Sequence, residues 1–279
     1  MYSKVYVEIT NICNMSCSFC HGHKRERRMM SKSEFEHVLS ALTGQTGYIY
    51  YHLMGEPLTH PLLPEFIKTA GERGYKSILT TNGALLSRRC GELLESGLHK
   101  VNISVHSFES GTADEHTRYI REAADFAKRA AEKGIITVLR LWNKGSDGGK
   151  NGETIRLLKE SISGEWAENT RGIRVRERLF IDWGERFEWP DSEAEIKGSR
   201  FFCYGLKDQF GILADGTVVP CCLDSEGVIA LGNIFEQDID EILRSERASA
   251  MRDGFCRGIA TEELCKRCGY AQRFVRKND

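Results

Sequence analysis

The chain has 279 residues and a formal net charge of −1 from 39 basic and 40 acidic side chains. No whole-molecule field therefore draws it to nucleic acid or to an anionic membrane surface, and a small-molecule or peptide substrate is expected. This length buries a full core without disulfides, as one large domain or one domain with a smaller appendage. Apart from Cys90, the ten cysteines cluster near the two ends. They follow no secretory leader and no bilayer-length apolar run, so a reducing cytoplasm is the expected compartment.

From residue 4 to about 180, short β-branched runs alternate with amphipathic helical stretches, the pattern of repeated βα units around a parallel sheet. Strands are expected at Val5–Ile9, Tyr48–Leu53, Ser77–Thr81, Val101–Val105, Ile135–Leu141 and near Ile173–Phe180. A capping box, Ser31-Lys32-Ser33-Glu34, opens the first helix, and a helix from about Asp114 to Lys133 ends at Gly134. Six such units suit an α/β fold built as an open, partial (β/α)6 TIM-like barrel, with ligands gathered where strands hand over to helices. Strand parity sets Val101, Ile103 and Val105 against the helices and turns Asn102, Ser104 and His106 inward. In the first strand Val5, Val7 and Ile9 oppose Tyr6, Glu8 and Thr10. An interior this polar is a pocket. Gly145–Gly152 is expected as a flexible loop on the same side.

Past Pro190 the periodicity changes, which divides the chain into a barrel over 1–190 and a small C-terminal hairpin and helix module over 191–279. Phe210–Pro220 predicts a β-hairpin turning at Asp215-Gly216, and Ile239–Met251 predicts a helix ahead of a Cys265-Lys-Arg-Cys268 knuckle.

Cys13, Cys17 and Cys20 lie in one polar loop after the first strand, at C-x3-C-x2-C spacing with Phe19 before the last cysteine. Three thiolates without a fourth leave a metal position open for a small molecule; His21 or His23 could instead complete a zinc loop. The spacing resembles the signature of radical SAM enzymes. That resemblance implies a [4Fe-4S] cluster on the three thiolates, its free iron chelating the amino and carboxylate groups of S-adenosylmethionine. Met54-Gly55-Glu56-Pro57 resembles the family's Gly-Gly-Glu motif, with Met54 in place of the first glycine and Glu56 facing the amino group. The resemblance places Thr81, Asn82 and Ser104 at the ribose or the methionine carboxylate. Arg140 could pair with that carboxylate, or face solvent.

Cys203, Cys221, Cys265 and Cys268 supply four thiolates, enough to saturate a second [4Fe-4S] cluster or a zinc ion. Twelve residues separate Cys203 from Gly216, and four more precede Cys221. This resembles half of the SPASM/twitch extension, in the shorter form with one auxiliary cluster. Cys90 reads as a small buried hydrophobe, and Cys222 and Cys256 rank below the four named ligands.

The resemblance implies reductive cleavage of S-adenosylmethionine to a 5′-deoxyadenosyl radical, hydrogen abstraction from substrate, and electron transfer to the auxiliary cluster. An oxidoreductase follows, a dehydrogenase for a small molecule such as a sugar or cyclitol, fed by a low-potential donor, flavodoxin or ferredoxin. His106 could take the released proton, or simply line the pocket. Trp183, Glu185 and Trp189 could wall it. Arg174, Arg176 and Arg178 share one face of the sixth strand, suiting an anionic substrate or an exposed edge. A peptide- or protein-modifying enzyme is the alternative. Against it, thirteen residues up to the first cluster cysteine leave no room for a fused peptide-binding domain. A non-catalytic zinc-binding interaction protein is the alternative of another class.

Overall fold

The computed structural model describes residues 1–108, 110–170 and 172–274. Five parallel strands lie side by side in chain order: β1 (Lys4–Val7), β2 (Tyr48–Tyr51), β3 (Lys76–Thr81), β4 (Lys100–Ile103) and β5 (Ile136–Lys144). The crossovers carry α1 (Lys32–Ala41), α2 (Leu63–Glu72), α3 (Leu86–Leu94), α4 (Ala113–Glu132) and α5 (Lys150–Ser161). Ser31 accepts from the Glu34 amide while Glu34 accepts from the Ser31 amide, and Thr112 and Glu115 repeat this box at α4. Gly134 stops α4 at φ +83°, as expected of an αL terminator. The expected flexible loop is shorter than Gly145–Gly152, because β5 runs to Lys144 and α5 starts at Lys150.

The sheet is a partial barrel whose two faces differ in burial. Val5, Val7, Ile49, Leu79, Val101, Ile103 and Leu139 are wholly buried beneath the helices, where Phe35 and Phe66 stack at 4.2 Å. Inward-facing neighbours keep some surface: Tyr48 and Tyr50 on β2, Lys100 on β4, Arg140 and Trp142 on β5. The inner wall therefore borders a hollow. On one side of it sits a small apolar cluster of Tyr6, Leu53, Leu213 and Val219, with Tyr50 and Cys222 against it.

The sixth parallel strand differs from the expected run near Ile173–Phe180. The chain reverses at Glu177-Arg178, with Arg178 at φ +59°. This gives β6 (Ala167–Asn169), β7 (Gly172–Arg176) and β8 (Leu179–Glu185), and it is β8 that pairs parallel with β5. The three arginines consequently share no strand face. Arg178 is in the turn, and Arg176 pairs with Glu132 of α4 at 2.6 Å. Nor is β7 an edge, since β6 covers it.

The predicted hairpin forms as β9 (Gln209–Ile212) and β10 (Thr217–Val219), with Gly216 at φ +87°. Its place in the fold was not foreseen: β9 pairs parallel with β1 from Lys4↔Gln209 to Val7↔Ile212, so the hairpin continues the barrel sheet. β11 (Gly232–Asn233) ends the sheet. The single helix expected over Ile239–Met251 is two, α6 (Ile239–Arg244) and α7 (Glu246–Cys256). The extended Ser245 breaks the run and caps α7 through the Ala248 amide. A short α8 (Glu263–Lys266) carries Cys265. No helix among the described residues is long and apolar enough to cross a membrane.

One carboxylate joins the parts. Glu8, just past β1 and fully buried, accepts from Arg25 Nη1 at 2.9 Å and Arg25 Nη2 at 2.7 Å. It also accepts from the Met54 amide at 3.0 Å and the Ala214 amide at 3.1 Å. Breaking a buried ion pair strands the remaining charge, so Glu8→Gln should lower unfolding free energy by about 3–5 kcal/mol, read from the urea midpoint. A loss within about 0.5 kcal/mol, the range of an ordinary surface change, would show that this joint is dispensable.

Candidate metal centres and cofactor site

The segment after β1 leaves the sheet and returns to α1 with its base pinned. Thr10 bridges Met29, and the Met30 amide donates to Ile9 O at 2.8 Å. Asn11 Oδ1 accepts from the Arg28 amide at 2.8 Å, while its Nδ2 donates to Glu26 O at 2.8 Å. The cysteines project from this tied loop. Cys13 and Cys20 are exposed and Cys17 is half-buried, its Sγ 3.6 Å from Ser107 O. Asn82 Nδ2 lies 3.9 Å from Cys13 Sγ and donates to Asn14 Oδ1 at 2.9 Å. The Phe19 and His106 rings are 5.0 Å apart, and Trp189 Nε1 donates to Phe19 O at 3.1 Å. The ends of β3 and β4 thus meet the thiol loop. His23 Nε2 sits 2.8 Å from Asn11 O, and His21 stacks on Trp189 at 6.3 Å.

Gly55 explains its own residue type. Its φ is +77°, and a Cβ there would stand 2.5 Å from Thr10 O, so only glycine lets the end of β2 pass the base of the thiol loop. The Glu56 amide then donates to Ile12 O at 2.9 Å. The Glu56 carboxylate is buried and accepts three hydrogen bonds. They come from Thr81 Oγ1 at 2.7 Å, the Asn82 amide at 2.6 Å and the Leu58 amide at 3.0 Å. Burial outweighs these donors and pushes its pKa up to about 7. Tyr119 of α4 locks the far side by donating to Asn82 O at 2.6 Å, and the Ser104 amide donates to Thr81 O at 2.8 Å. His106 Nδ1 faces Arg140 O at 2.9 Å.

Arg140 lies elsewhere on the wall. Its guanidinium sits 4.5 Å over the Trp142 ring, and the charges that bear on it are those of Asp182, Tyr6, Tyr50 and Cys222. Trp183 packs against the main core, and Glu185 is exposed at the end of β8.

In the C-terminal module, burial raises the pKa of Cys203 to about 11 and raises those of Cys221, Cys265 and Cys268. Cys221 is pushed further by Cys222, Cys203, Cys265 and Cys268, which places these thiols in one neighbourhood. Cys222 turns into the barrel against Tyr6. Cys256 is exposed in a surface hollow beside Met1, Tyr2 and Arg252. Cys90 is buried in α3.

Among the described residues no three His, Cys, Asp or Glu side chains close on a single point as ligands of one ion. The donor chemistry is the test of fit. Enclosed thiols that raise one another's pKa hold their charge only beside a strong cationic group, and thiolates are the ligands of iron-sulfur clusters. Sequence reasoning missed Glu8 and Tyr119 as supports. Inward parity marked Glu8, whereas Tyr119 carried no signal beyond an amphipathic helix.

Known proteins resemble this chain in sequence and in fold. The profile of the Radical SAM superfamily matches residues 7–144, and that of an iron-sulfur cluster-binding domain, SPASM, matches residues 203–269. A probable GTP 3′,8-cyclase of Sulfolobus acidocaldarius is 35% identical over 107 residues, 37% of this chain and 34% of that protein. The PqqA peptide cyclase of Bradyrhizobium diazoefficiens is 34% identical over 120 residues, 41% of this chain and 31% of that protein. The match thus spans about a third of each of these two relatives. A crystal structure of BtrN in complex with AdoMet and 2-DOIA superposes with a TM-score of 0.59 at 19% identity, over 96% of this chain and 93% of that one, and shows the shared fold. The chain belongs to the radical SAM superfamily and carries a C-terminal iron-sulfur domain, so its cofactors are S-adenosylmethionine, the [4Fe-4S] cluster that binds it and an auxiliary cluster.

Proposed function

We propose that this chain is a radical SAM oxidoreductase that removes hydrogen from a small, hydroxyl-bearing molecule, with the auxiliary cluster as electron acceptor. The observation that carries this is the Cys221-Cys222 step, in which one thiol joins the four-cysteine group and the next lines the barrel cluster with Tyr6. An electron leaving the chamber has a short way to go.

When bound, the reduced cluster and S-adenosylmethionine supply a carbon-centred radical that abstracts hydrogen from substrate. The protein's own residues hold and orient. Cys13, Cys17 and Cys20 ligate the first cluster, Gly55 opens the approach, and Glu56 accepts from the amino group of S-adenosylmethionine. Phe19, Thr81, Asn82 and Ser104 frame the rest of that molecule, and His106 takes the proton released on oxidation. Cys203, Cys221, Cys265 and Cys268 ligate the auxiliary cluster. Residues 1–190 serve the radical step and 191–279 the electron step, in a cytoplasmic setting with flavodoxin or ferredoxin as donor. A second reading rests on the two cyclase relatives: ring closure within a nucleotide, where the substrate radical adds to an unsaturated base without net oxidation, or a cross-link within a peptide, which releases a proton and an electron to the auxiliary cluster. Formation of 5′-deoxyadenosine on adding GTP would favour it over sugars and cyclitols.

Anaerobic reconstitution should give about eight irons per chain, whereas stoichiometric zinc without iron rejects the proposal. Cys17→Ala should abolish 5′-deoxyadenosine formation with dithionite and S-adenosylmethionine. Cys265→Ala should leave that cleavage intact and stop substrate oxidation. Glu56, at about 7 in the fold against 4.5 unfolded, favours folding while protonated. Its contribution is full below pH 4.5 and lost as pH rises through about 7. Urea unfolding of the cofactor-free chain should therefore show stability falling by about 3 kcal/mol across that window, and Glu56→Gln should flatten the slope.

A further inference from the structure

Three polar atoms on the inner wall are buried without a hydrogen-bond partner: His52 Nδ1 beyond β2, Asn102 Oδ1 on β4 and Arg140 Nε on β5. They belong to three different strand positions on the inward side of the partial barrel, and the Arg140 charge reaches His52. Asn102 Nδ2 donates to Thr80 Oγ1 at 3.2 Å and Leu79 O at 3.4 Å, which fixes the amide and leaves its oxygen needing a donor. Arg140 and Lys100 are half-enclosed cations on neighbouring strands; burial and then the Arg140 charge lower the Lys100 pKa, burial lowers that of Arg140, and among the described residues neither has a carboxylate within ion-pair distance. Asp182 acts on both from beyond ion-pair distance, held by the hydrogen bond its Oδ2 accepts from Trp142 Nε1 at 3.0 Å, and one carboxylate cannot balance two cations. Burial, then the Arg140 charge, pushes the His52 pKa down to about 3, so the ring stays neutral and can donate one N–H.

Enclosed cations are costly unless an anion meets them, and the chain provides too few. We propose that the hollow receives the anionic group, carboxylate or phosphate, of a small hydroxylated substrate. Arg140 and Lys100 are its countercharges, His52 is a donor to it, and Asn102 Oδ1 accepts from a neighbouring hydroxyl. This rests on the barrel being the substrate chamber and adds the substrate's charge and class. It also assigns Arg140 to substrate, not to the carboxylate of S-adenosylmethionine.

The test titrates the reconstituted holoenzyme with acetate, inorganic phosphate and the tripeptide Gly-Asp-Gly, following tryptophan fluorescence because Trp142 lies under Arg140. Acetate or phosphate should give a saturable change, the better of the two naming the head group. Arg140→Gln and Lys100→Gln should each weaken it by about tenfold or more. Removing an unpaired enclosed cation should leave the melting temperature of the cofactor-free chain unchanged or raise it; a fall in both variants marks a structural role and overturns the proposal. No saturable change with either ion, or one equal in all variants, overturns it too. So does a response to the tripeptide alone, which would point to a peptide side chain. A tenfold loss of affinity for S-adenosylmethionine with the anion titration unaltered would return Arg140 to the cofactor. Binding is read without turnover, so failure of the radical chemistry would show separately, in the 5′-deoxyadenosine assay.

Discussion

Glu8 is the point on which the arrangement depends. A buried carboxylate is tolerated only when its lone pairs are met, and here four donors from three distant segments meet them. Arg25 comes from the far side of the thiol loop, Met54 from the strand end that leads into Gly55-Glu56, and Ala214 from the hairpin turn. Arg25 also donates Nε to Ser225 O at 2.8 Å, just beyond Cys221-Cys222. One charge thus fixes the thiol loop, the end of β2 that leads into Gly55-Glu56 and the module with the second set of thiols relative to one another. Radical transfer tolerates little misplacement, and a fully satisfied carboxylate is a rigid way to set three segments at once.

Local pattern carried the barrel but not its closure. Val5, Val7, Val101 and Ile103 are buried under helices as parity demanded, because side-chain alternation is a property of each strand alone. The pairing of β9 with β1 joins residues some two hundred positions apart, and periodicity holds no record of a strand's partner. The two element errors have local causes. Arg178 adopts left-handed backbone within an otherwise β-like run, and Ser245 trades helix for a cap. Neither choice is forced by residue type, since arginine seldom takes positive φ and serine is tolerated within helices.

The candidate site was legible in proportion to how local its chemistry is. Cys13, Cys17 and Cys20 sit eight residues from end to end, so spacing alone announced them. Gly55 looked like a turn residue until the backbone of Thr10 and Asn11 proved to fill the space a Cβ would need. The arginines near β7 drew attention by number, yet Arg176 is spent on Glu132, while Arg140, for which the sequence left solvent exposure open, is the enclosed one. Charge matters by what surrounds it, and that is a property of the fold.

The two thiol groups are anchored differently, and this sets how each responds to its metal. The first loop is tied at its base by protein hydrogen bonds that need no cluster, from Thr10, Asn11 and Arg25. In the second, Cys221 follows a hairpin held along the whole of β1, whereas Cys265 rides on a four-residue helix and Cys268 follows two residues past its end. That helix is held by the Lys197 amide on Lys266 O and by Arg267 on Ala194 O. With no metal, these crowded thiols stay protonated and contribute no bond between the hairpin and the knuckle. On the proposed ligation, binding of the second cluster would tie the knuckle to the sheet, while the first would dock into a loop already formed.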